Sequence, residues 1–255
     1  MLLNTQFLGK VLLRFEELDS TQTFAQELLK GQPPPAEGTV VIASFQWAGK
    51  GFLKNKWESA AGKNLLLSLI VYPGFLPVGR AFLLSQAIGL GLRDWVSRYI
   101  EDRTRIKWPN DIYIGNKKIA GVLIQNSLSG AKIQHSVVGI GINVNQTEFP
   151  AYLPNPCSLK GETGLDLDLE ECLAGLLENL ERRYLQLKNG NWQGIAEDYH
   201  HYLYGIGERR HFIGPGGKVF EGRIDGVGEN GYLLVFADGQ LKSFEIKELQ
   251  FYPVP

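Results

Sequence analysis

The sequence predicts an α+β fold in which a mixed β-sheet is flanked by helices and is followed by a small all-β unit. Two observations support this prediction. Up to about residue 204, apolar runs of strand type are interspersed with segments of helical periodicity. Beyond that point the chain changes to short β-type runs separated by turns such as GPGG, ENG and ADGQ. We therefore predict two domains, residues 1–204 and residues 205–255, the second a small barrel.

The first strand and the first helix are predicted from neighbouring segments. KVLLRFEEL is typical of a strand, and Ser20 and Thr21 behind it can cap a helix. Phe24 and Leu28 share one face of that helix, and Gly31 marks its end.

The centre of the chain is predicted to supply the rest of the sheet and the longer helices. The predicted strands are GTVVIASFQ, KNLLLSLIVYP, the two strands around the turn GNKK, and IQHSVVGIGINVN. The predicted helices are VGRAFLLSQAIGLGLRDWVSRYI, DLEECLAGLLENLERRYLQLKNG and WQGIAEDYHHYLYG. Together these segments indicate a mixed sheet that is mostly antiparallel.

Composition and charge narrow the classes of function. Lysine and arginine number 26 against 27 aspartates and glutamates, so the chain has no global positive field for nucleic acid. Cys157 and Cys172 are the two cysteines, which favours a reducing compartment over a disulfide framework. No apolar run reaches the roughly 20 residues of a membrane helix, and Lys10 and Arg14 interrupt the N-terminal segment. These observations predict a cytoplasmic protein that neither coats DNA nor enters a membrane.

Two glycine motifs fail the requirements of nucleotide-binding loops. GIG (139–141) lacks a third glycine and leads into INVN rather than a helix, which argues against a dinucleotide site. PGGKV near Lys218 lacks the spacer and the hydroxyl residue of a P-loop, so we interpret it as a turn.

A glycine- and lysine-rich loop spans residues 46–57. Its glycines let backbone N–H groups approach a ligand, and its lysines at 50, 54 and 56 supply positive charge. Such a loop suits an anion. The alternative is a solvated basic loop, which is common on protein surfaces.

A second polar cluster lies in the segment KWPNDIYIGNKKIAG (107–121). Its proline fixes the backbone beside Asn110 and Asp111, and the aspartate can hold a divalent cation through oxygen. Lys118 precedes the small pair Ala120 and Gly121, so it can clamp a carboxylate or phosphate close to the backbone. Taken alone, WPND can also be an ordinary turn, and GNKK a solubilising hairpin.

The motifs LDST, QWAGKG with its following tryptophan, KWPND, KKIAG and GIGINVN, in this order, resemble those of the bacterial biotin protein ligases across nearly the whole chain. The resemblance implies a class II synthetase-like catalytic domain and a C-terminal SH3-like barrel. It also implies ATP-dependent biotinylation of a lysine in a biotin carboxyl carrier protein, through biotinyl-5′-AMP. Biotin and ATP are then substrates, Mg²⁺ is the activator, and no prosthetic group is bound.

The resemblance further implies a role for each matched residue. The expected biotin contacts are Ser20, Thr21, Gln22, Gln46, Gly49, Lys50, Gly51, Lys118 and Gly121. The expected nucleotide contacts are Lys50, Phe52, Trp57, Lys107, Asn110, Lys118 and Asn143. The expected catalytic residues are Lys118, Lys107 and Asp111, with Asp111 also the expected Mg²⁺ ligand.

The sequence departs from the family pattern in two places. Phe52 stands where the family commonly has a second arginine and Lys50 replaces the first, so a bidentate contact to phosphate is missing. Lys54 or Lys118 is a candidate to supply that charge. About eighteen residues precede Asp19, too few for the DNA-binding domain of some members, so we predict no repressor function and no DNA partner.

Other functions remain open at this point. A lipoate ligase or octanoyl transferase shares the fold, but its arginine and glycine-run signature is absent. A degenerate module that binds biotin without catalysis is the other alternative, and Phe52 is the feature that favours it. A strand edge near VVGIGINV could pair two subunits as a homodimer, or pair with the carrier's sheet.

Overall fold

A seven-stranded mixed sheet forms the centre of the protein, of which the computed structural model describes residues 3–52, 55–100 and 102–252. Its strands are β1 (Leu12–Leu18), β2 (Val40–Gln46), β3 (Leu65–Val71), β4 (Thr104–Lys107), β5 (Asp111–Ile114), β6 (Lys117–Ser129) and β7 (Lys132–Ile142). Their order is β1-β2-β3-β7-β6-β5-β4. β1 and β2 are parallel and every other neighbouring pair is antiparallel, which confirms the predicted mixed sheet.

Helices cover both faces of this sheet. They are α1 (Thr21–Leu28), α2 (Phe82–Val96), α3 (Leu159–Thr163), α4 (Leu169–Lys188) and α5 (Trp192–His201). α1 contacts β2, β3 and β7, whereas α2 contacts α4, α5, β4 and β5. Every residue of β3 is buried, as expected for an apolar strand with both faces covered.

The local sequence explains where the helices begin and end. The Asp168 side chain accepts hydrogen bonds from the backbone N–H groups of Glu170 and Glu171, which fixes the start of α4. Ser158 caps α3 in the same way, and Gly164, with φ of 77°, ends it. The sequence did not predict α3, because five residues carry too little apolar periodicity to be recognised.

The C-terminal residues form a separate antiparallel sheet. Its strands are β8 (Arg209–Ile213), β9 (Val219–Val227), β10 (Leu233–Ala237), β11 (Gln240–Phe244) and β12 (Gln250–Phe251), in the order β11-β10-β9-β8-β12. β11 and β12 are its edges, and the pairings described do not join them. The sheet is thus consistent with an SH3-like barrel, but its closure stays a prediction.

Trp108 ties this C-terminal sheet, hereafter the C-terminal unit, to the central sheet. Its Nε1 donates to the carbonyl of Gly231 at 2.9 Å, and the indole is buried. A Cβ added to Gly231 would lie 2.8 Å from the Phe82 ring, so a glycine lets the two surfaces meet. The turn that follows β4 is therefore held between the two sheets. None of the helices described is both long and apolar enough to cross a bilayer.

Candidate active site

A cavity of about 580 Å³ lies on the central sheet beside the C-terminal unit. Most of the residues predicted to bind ligands line it, namely Ser20, Thr21, Gln22, Gln46, Lys50, Gly51, Phe52, Trp57, Lys107, Asn110, Asp111, Lys118 and Gly121. Gly49 and Asn143 are not among the lining residues, and Lys54 lies outside the described residues. Segments far apart in sequence thus meet at one place.

The floor of this cavity is a stretch of β7 that lacks side chains. Val137, Gly139 and Gly141 share one face of the strand, because side chains alternate between faces. Val137 packs in the core cluster beneath α1. The glycines extend that face beyond the helix and leave a depression. The sequence did not predict this role for GIG, which was recognised only as part of the family motif GIGINVN and rejected as a dinucleotide site.

One end of the cavity is built from uncharged hydrogen-bonding groups at the start of α1. The backbone N and the Oγ1 of Thr21 donate to Oε1 of Gln46 at 2.7 and 3.1 Å. Ser68 on β3, fully buried, donates to Thr21 Oγ1 at 2.9 Å or to Gln22 Oε1 at 3.2 Å. This end therefore offers fixed donors and acceptors without net charge.

Gln22 depends on the absence of a side chain at Gly139. Its Nε2 donates to Gln125 Oε1 at 2.8 Å and to the carbonyl of Val137 at 3.2 Å. A Cβ added to Gly139 would lie 2.5 Å from Gln22 Oε1, a distance that real Cβ contacts do not reach. Glycine at 139 is thus required for the position of the Gln22 amide.

The described parts of the glycine- and lysine-rich loop, residues 49–52 and 55–57, pair as the two arms of a short hairpin at the cavity. Trp57 N donates to the Gly49 carbonyl at 3.0 Å, and Gly51 N donates to the Asn55 carbonyl at 2.8 Å. Gly49 is buried, and a Cβ there would lie 2.5 Å from the carbonyl oxygen of Trp57. Gly49 therefore shapes the hairpin backbone, which explains why it does not line the cavity itself.

Trp57 packs onto the glycine floor. A Cβ added to Gly141 would lie 2.6 Å from Nε1 of the indole, and one added to Gly121 would lie 3.1 Å from Cζ3. Gly121 and Gly141 face each other across β6 and β7, so the indole rests on a notch made by both. Its Nε1 is buried and has no hydrogen-bond partner.

Lys118 and Asp111 meet across β5 and β6 at the edge of this notch. Lys118 Nζ lies 2.7 Å from Asp111 Oδ1, and the two side chains are 33% and 22% exposed. Asp111 follows a turn with a cis peptide bond between Trp108 and Pro109, and Asn110 Nδ2 anchors that turn by donating to the carbonyl of Val122 at 2.6 Å.

Lys107 occupies a half-buried position between two aromatic rings. Its Nζ donates to the Tyr113 hydroxyl at 3.1 Å and lies 4.6 Å from the Tyr113 ring centroid and 4.8 Å from that of Phe251. Burial lowers the pKa of this amine, and Lys118 and Arg210 lower it further, against the opposing effect of Asp111. Among the described residues no carboxylate lies within ion-pair distance of Lys107, so an anion would be a favourable partner.

Asn143 lies behind the cavity wall, where it is 5% exposed. Its Nδ2 donates to the Cys157 carbonyl at 2.9 Å, whereas its Oδ1 is buried without a partner. An unpaired buried acceptor costs free energy, so this oxygen would gain from a donor on a ligand.

Several lining residues were missed by the sequence reasoning. They include Ile246, Lys247, Leu249, Gln250 and Phe251 of the C-terminal unit, together with Gly139 and Gly141. No local signal places a C-terminal segment beside Lys107, because only packing brings them together. Ser68, which bonds the uncharged end from behind, did carry a signal as the one polar residue within LLLSLIV.

The chain is similar in sequence to known protein ligases. The model of the Biotin/lipoate A/B protein ligase family matches residues 14–143. The Bifunctional ligase/repressor BirA of Bacillus subtilis is 30% identical over 251 residues, covering 97% of this chain and 76% of that protein. The Biotin--[acetyl-CoA-carboxylase] ligase of Mycobacterium tuberculosis is 31% identical over 208 residues, covering 80% and 75%.

The fold is also similar to solved structures of a biotin protein ligase. The biotin protein ligase from Aquifex aeolicus in complex with biotin and ATP aligns with a TM-score of 0.78 at 29% identity, over 96% of this chain and 100% of that one. A mutant of the same ligase in complex with biotin also aligns with a TM-score of 0.78, at 27% identity, over 97% and 100%. The predicted α+β fold is thereby confirmed, and the chain belongs to the biotin/lipoate A/B protein ligase family.

Proposed function

We propose that the protein joins biotin to a lysine of a carrier domain in two steps. An oxygen of the biotin carboxylate attacks the α-phosphorus of ATP, and the bond to pyrophosphate breaks. The neutral amine of the carrier lysine then attacks the acyl carbon of biotinyl-5′-AMP, which forms an amide and releases AMP and a proton. The observation that carries this proposal is the polarity of the cavity, which has an uncharged end and a lysine-rich end.

The uncharged end suits the ureido ring of biotin. A urea presents two N–H donors and one carbonyl acceptor without charge, and the groups of Thr21 and Gln46 offer matching partners, with Ser68 bonding Thr21 from behind. Ser20 and Gln22 line the same end. A ligand bound there would reach Gly121, Lys118 and the hairpin residues Lys50 and Gly51 with its carboxylate arm.

The lysine-rich end suits the reacting carboxylate and the phosphates of ATP. Lys118, Lys107 and Lys50 line it, so positive charge is fixed where negative charge develops during adenylate formation. Lys118 is assigned to the carboxylate and α-phosphate, because it borders the glycine notch. Lys107, without a carboxylate partner among the described residues, is assigned with Asn110 to the phosphates.

Two groups are assigned to the adenine. Trp57 offers an indole face above the notch, and stacking on an aromatic ring is a common way to hold a base. Asn143 offers a buried, unpaired Oδ1 that can accept from an amino group. Trp57 Nε1 and Asn143 Oδ1 are both buried without a hydrogen-bond partner, which supports a ligand that pairs with them.

Magnesium fits the site as a companion of ATP. The described residues contain no cluster of three histidine, cysteine, aspartate or glutamate side chains, so Asp111 would be its carboxylate ligand alongside phosphate oxygens and water. When bound, the ion would neutralise phosphate charge. Asp111 must then share its oxygens between the ion and Lys118.

The remaining assignments follow from the same proposal. The partner would be a biotin carboxyl carrier protein domain, such as that of acetyl-CoA carboxylase, with the reaction in the cytoplasm. We propose residues 1–204 as the catalytic domain and 205–255 as the C-terminal domain, with Tyr204 at the boundary. The expected strand edge near VVGIGINV is wrong, because residues 137–142 of β7 are paired with β3 on one side and with β6 on the other. Assembly as a homodimer stays a prediction.

A transfer assay tests the proposed function. The protein is incubated with Mg²⁺, ATP, biotin and an unmodified carrier domain, and the carrier is weighed by mass spectrometry. We expect one biotinyl group per carrier, and none when ATP is omitted or when the acceptor lysine is changed to arginine. Labelling with lipoate or octanoate instead of biotin would contradict the biotin assignment. Intact biotin binding without transfer would reduce the protein to a binding module.

A further inference from the structure

Two buried side-chain amides, those of Asn64 and Gln146, meet at the end of the ladder between β3 and β7. They are 3% and 7% exposed, and Asn64 Nδ2 donates to Gln146 Oε1 at 2.6 Å. The ladder ends with the pair Leu65 and Ile142, so both amides lie just beyond it. Neither amide belongs to the residues that line the active-site cavity. Any role in the site must therefore be indirect, through the residues that the two amides hold.

Backbone groups fix the orientation of both amides. Asn64 Oδ1 accepts from Val144 N at 2.8 Å, and Gln146 Oε1 accepts from Ala60 N at 3.0 Å. A backbone N–H can only donate, so each amide must turn its oxygen toward that group. Asn64 Nδ2 then uses both of its hydrogens, one on Gln146 Oε1 and one on Ser59 Oγ at 2.8 Å. The two amides thus form one fully bonded junction, hereafter the amide pair.

The amide pair joins the two chain segments that carry the groups assigned to the adenine, Trp57 and Asn143. Ser59 and Ala60 follow Trp57 within three residues. Val144 directly follows Asn143. Because the N–H groups of Ala60 and Val144 bind the amide pair, the backbone of each segment is held next to it. The position of one segment therefore depends on that of the other.

A second contact joins the same segments at the surface. The Tyr152 hydroxyl donates to the carboxylate of Glu58. Tyr152 is 69% exposed, so water can replace this hydrogen bond at little cost. In the buried amide pair, loss of one partner leaves donors and acceptors unpaired, which costs considerably more. The amide pair is therefore the stronger of the two connections.

We propose that Asn64 and Gln146 are positioning residues that fix the spacing between Trp57 and Asn143 for an adenine nucleotide. The effect on ATP rests on the proposed function, whereas the connection between the two segments does not. The uncharged end of the cavity around Thr21 is built by other hydrogen bonds. Loss of the amide pair should therefore weaken ATP binding and leave biotin binding nearly unchanged.

Amide hydrogen exchange of the ligand-free protein, followed by NMR, tests the connection. Trp57 N donates to the Gly49 carbonyl at 3.0 Å and Asn143 N donates to the Ile119 carbonyl at 2.9 Å, so neither group binds the amide pair directly. Gln146→Met keeps the length of the side chain and loses its amide. Both N–H groups should then exchange roughly tenfold faster, the factor expected for losing a buried hydrogen bond. Unchanged exchange at either group would overturn the connection.

Two further variants separate the amide pair from a general effect of substitution. Gln146→Glu keeps an oxygen for Asn64 and Ala60 and loses the donation to the Glu148 carbonyl, so it should change exchange less than Gln146→Met does. Asn64→Leu combined with Gln146→Met should give less than the product of the two single effects, because the residues share one junction. Effects that multiply, or a Gln146→Glu effect as large as that of Gln146→Met, would contradict the proposal.

Steady-state kinetics of pyrophosphate release supply the functional measurement. A positioning role predicts a KM for ATP about tenfold higher in Gln146→Met, with kcat changed far less and the biotin dissociation constant within about twofold. Asn179→Ala is the matched control, since Asn179 is 5% exposed and donates to the Gly175 carbonyl within α4. It should lower the melting temperature without changing the KM for ATP.

The outcomes distinguish this proposal from the proposed function. If the natural protein released no pyrophosphate with biotin and ATP, the proposed function would fail, while hydrogen exchange would still decide the connection. An unchanged KM for ATP in Gln146→Met, despite faster exchange, would overturn the positioning role. Equal losses of ATP and biotin affinity would also overturn it, because they would indicate a general loosening of the cavity.

Discussion

Lys118 and Asp111 form an ion pair 2.7 Å long across β5 and β6, beside the notch made by Gly121 and Gly141. A Cβ added to Gly121 would lie 3.3 Å from Lys118 Nζ and 3.4 Å from Asp111 Oδ1, so a glycine lets the pair sit against the backbone. Because both side chains are partly solvent-accessible, the pair itself stabilises the fold little. Its position at the cavity therefore favours a chemical role.

Lys118→Ala should abolish adenylate formation while the fold survives. Removing a preorganised cation from the reacting carboxylate typically costs a factor of about 10² to 10³ in rate. Pyrophosphate release in the presence of biotin and ATP measures this step, and the melting temperature checks the fold. Lys117→Ala is the matched control, because Lys117 is 57% exposed and pairs with Glu162 away from the cavity. Pyrophosphate release at the natural rate in Lys118→Ala would refute the assignment.

Lys107 should give ATP binding an alkaline limit. Burial lowers its pKa, so the folded protein loses this charge at a lower pH than an exposed lysine would. Since phosphate favours the charged amine, the KM for ATP should rise above that lowered pKa, by up to about tenfold per pH unit. Steady-state assays across alkaline pH measure the effect.

Lys107→Arg is the control for this pH effect. A guanidinium keeps its charge across the range, so the alkaline rise in KM should disappear even if affinity is weaker throughout. The same alkaline rise in both proteins would assign the titration to another group.

Ser68→Ala should weaken biotin binding. Ser68 is fully buried and donates to Thr21 Oγ1 or Gln22 Oε1, so its loss leaves an acceptor without a partner and loosens the uncharged end of the cavity. A cost of about 1 to 2 kcal/mol predicts a biotin dissociation constant roughly five- to thirtyfold higher. Isothermal titration calorimetry with biotin measures it.

Ser136→Ala is the matched control. Ser136 is equally buried on β7 but donates to Asn126, which is not among the cavity-lining residues. This variant should lose a similar amount of stability without a change in biotin affinity. Equal losses of biotin affinity in both variants would show that general destabilisation, not the contact to Thr21, is responsible.

The sequence predicted those parts of the site that residues close in sequence form. It did not predict the parts that packing of distant segments brings together. Lys107 and Asp111 are paired across the hairpin of β4 and β5, so the order of KWPND already implies that they are close. The Phe251 ring contacts Lys107 although the two residues are more than a hundred positions apart in sequence, and no local pattern predicts that contact. Asn143 was recognised through a motif, but its place behind the wall follows from its bond to Cys157.

In the fold, too, the elements with a strong local pattern were predicted and those that depend on other contacts were not. α4 was predicted correctly because its leucines repeat over twenty residues and Asp168 caps its first turn. α3 was not predicted, because a helix of five residues depends on Ser158 and Gly164 rather than on periodicity. Closure of the C-terminal sheet depends on contacts between β11 and β12, which no single segment encodes.

Gly141→Ala should displace Trp57 from the floor of the cavity. The added methyl carbon would overlap Cε2 of the indole and lie 2.6 Å from Nε1, so the ring cannot keep its place. If Trp57 stacks on the adenine, the KM for ATP should rise by about tenfold, whereas biotin affinity should change less, because the groups around Thr21 are not touched. Tryptophan fluorescence should shift to longer wavelength as the indole enters water. Gly79→Ala is the control, since a Cβ there meets nothing within 4 Å. An unchanged KM for ATP together with shifted fluorescence would separate Trp57 from nucleotide binding and leave it as a structural cover of the glycine notch.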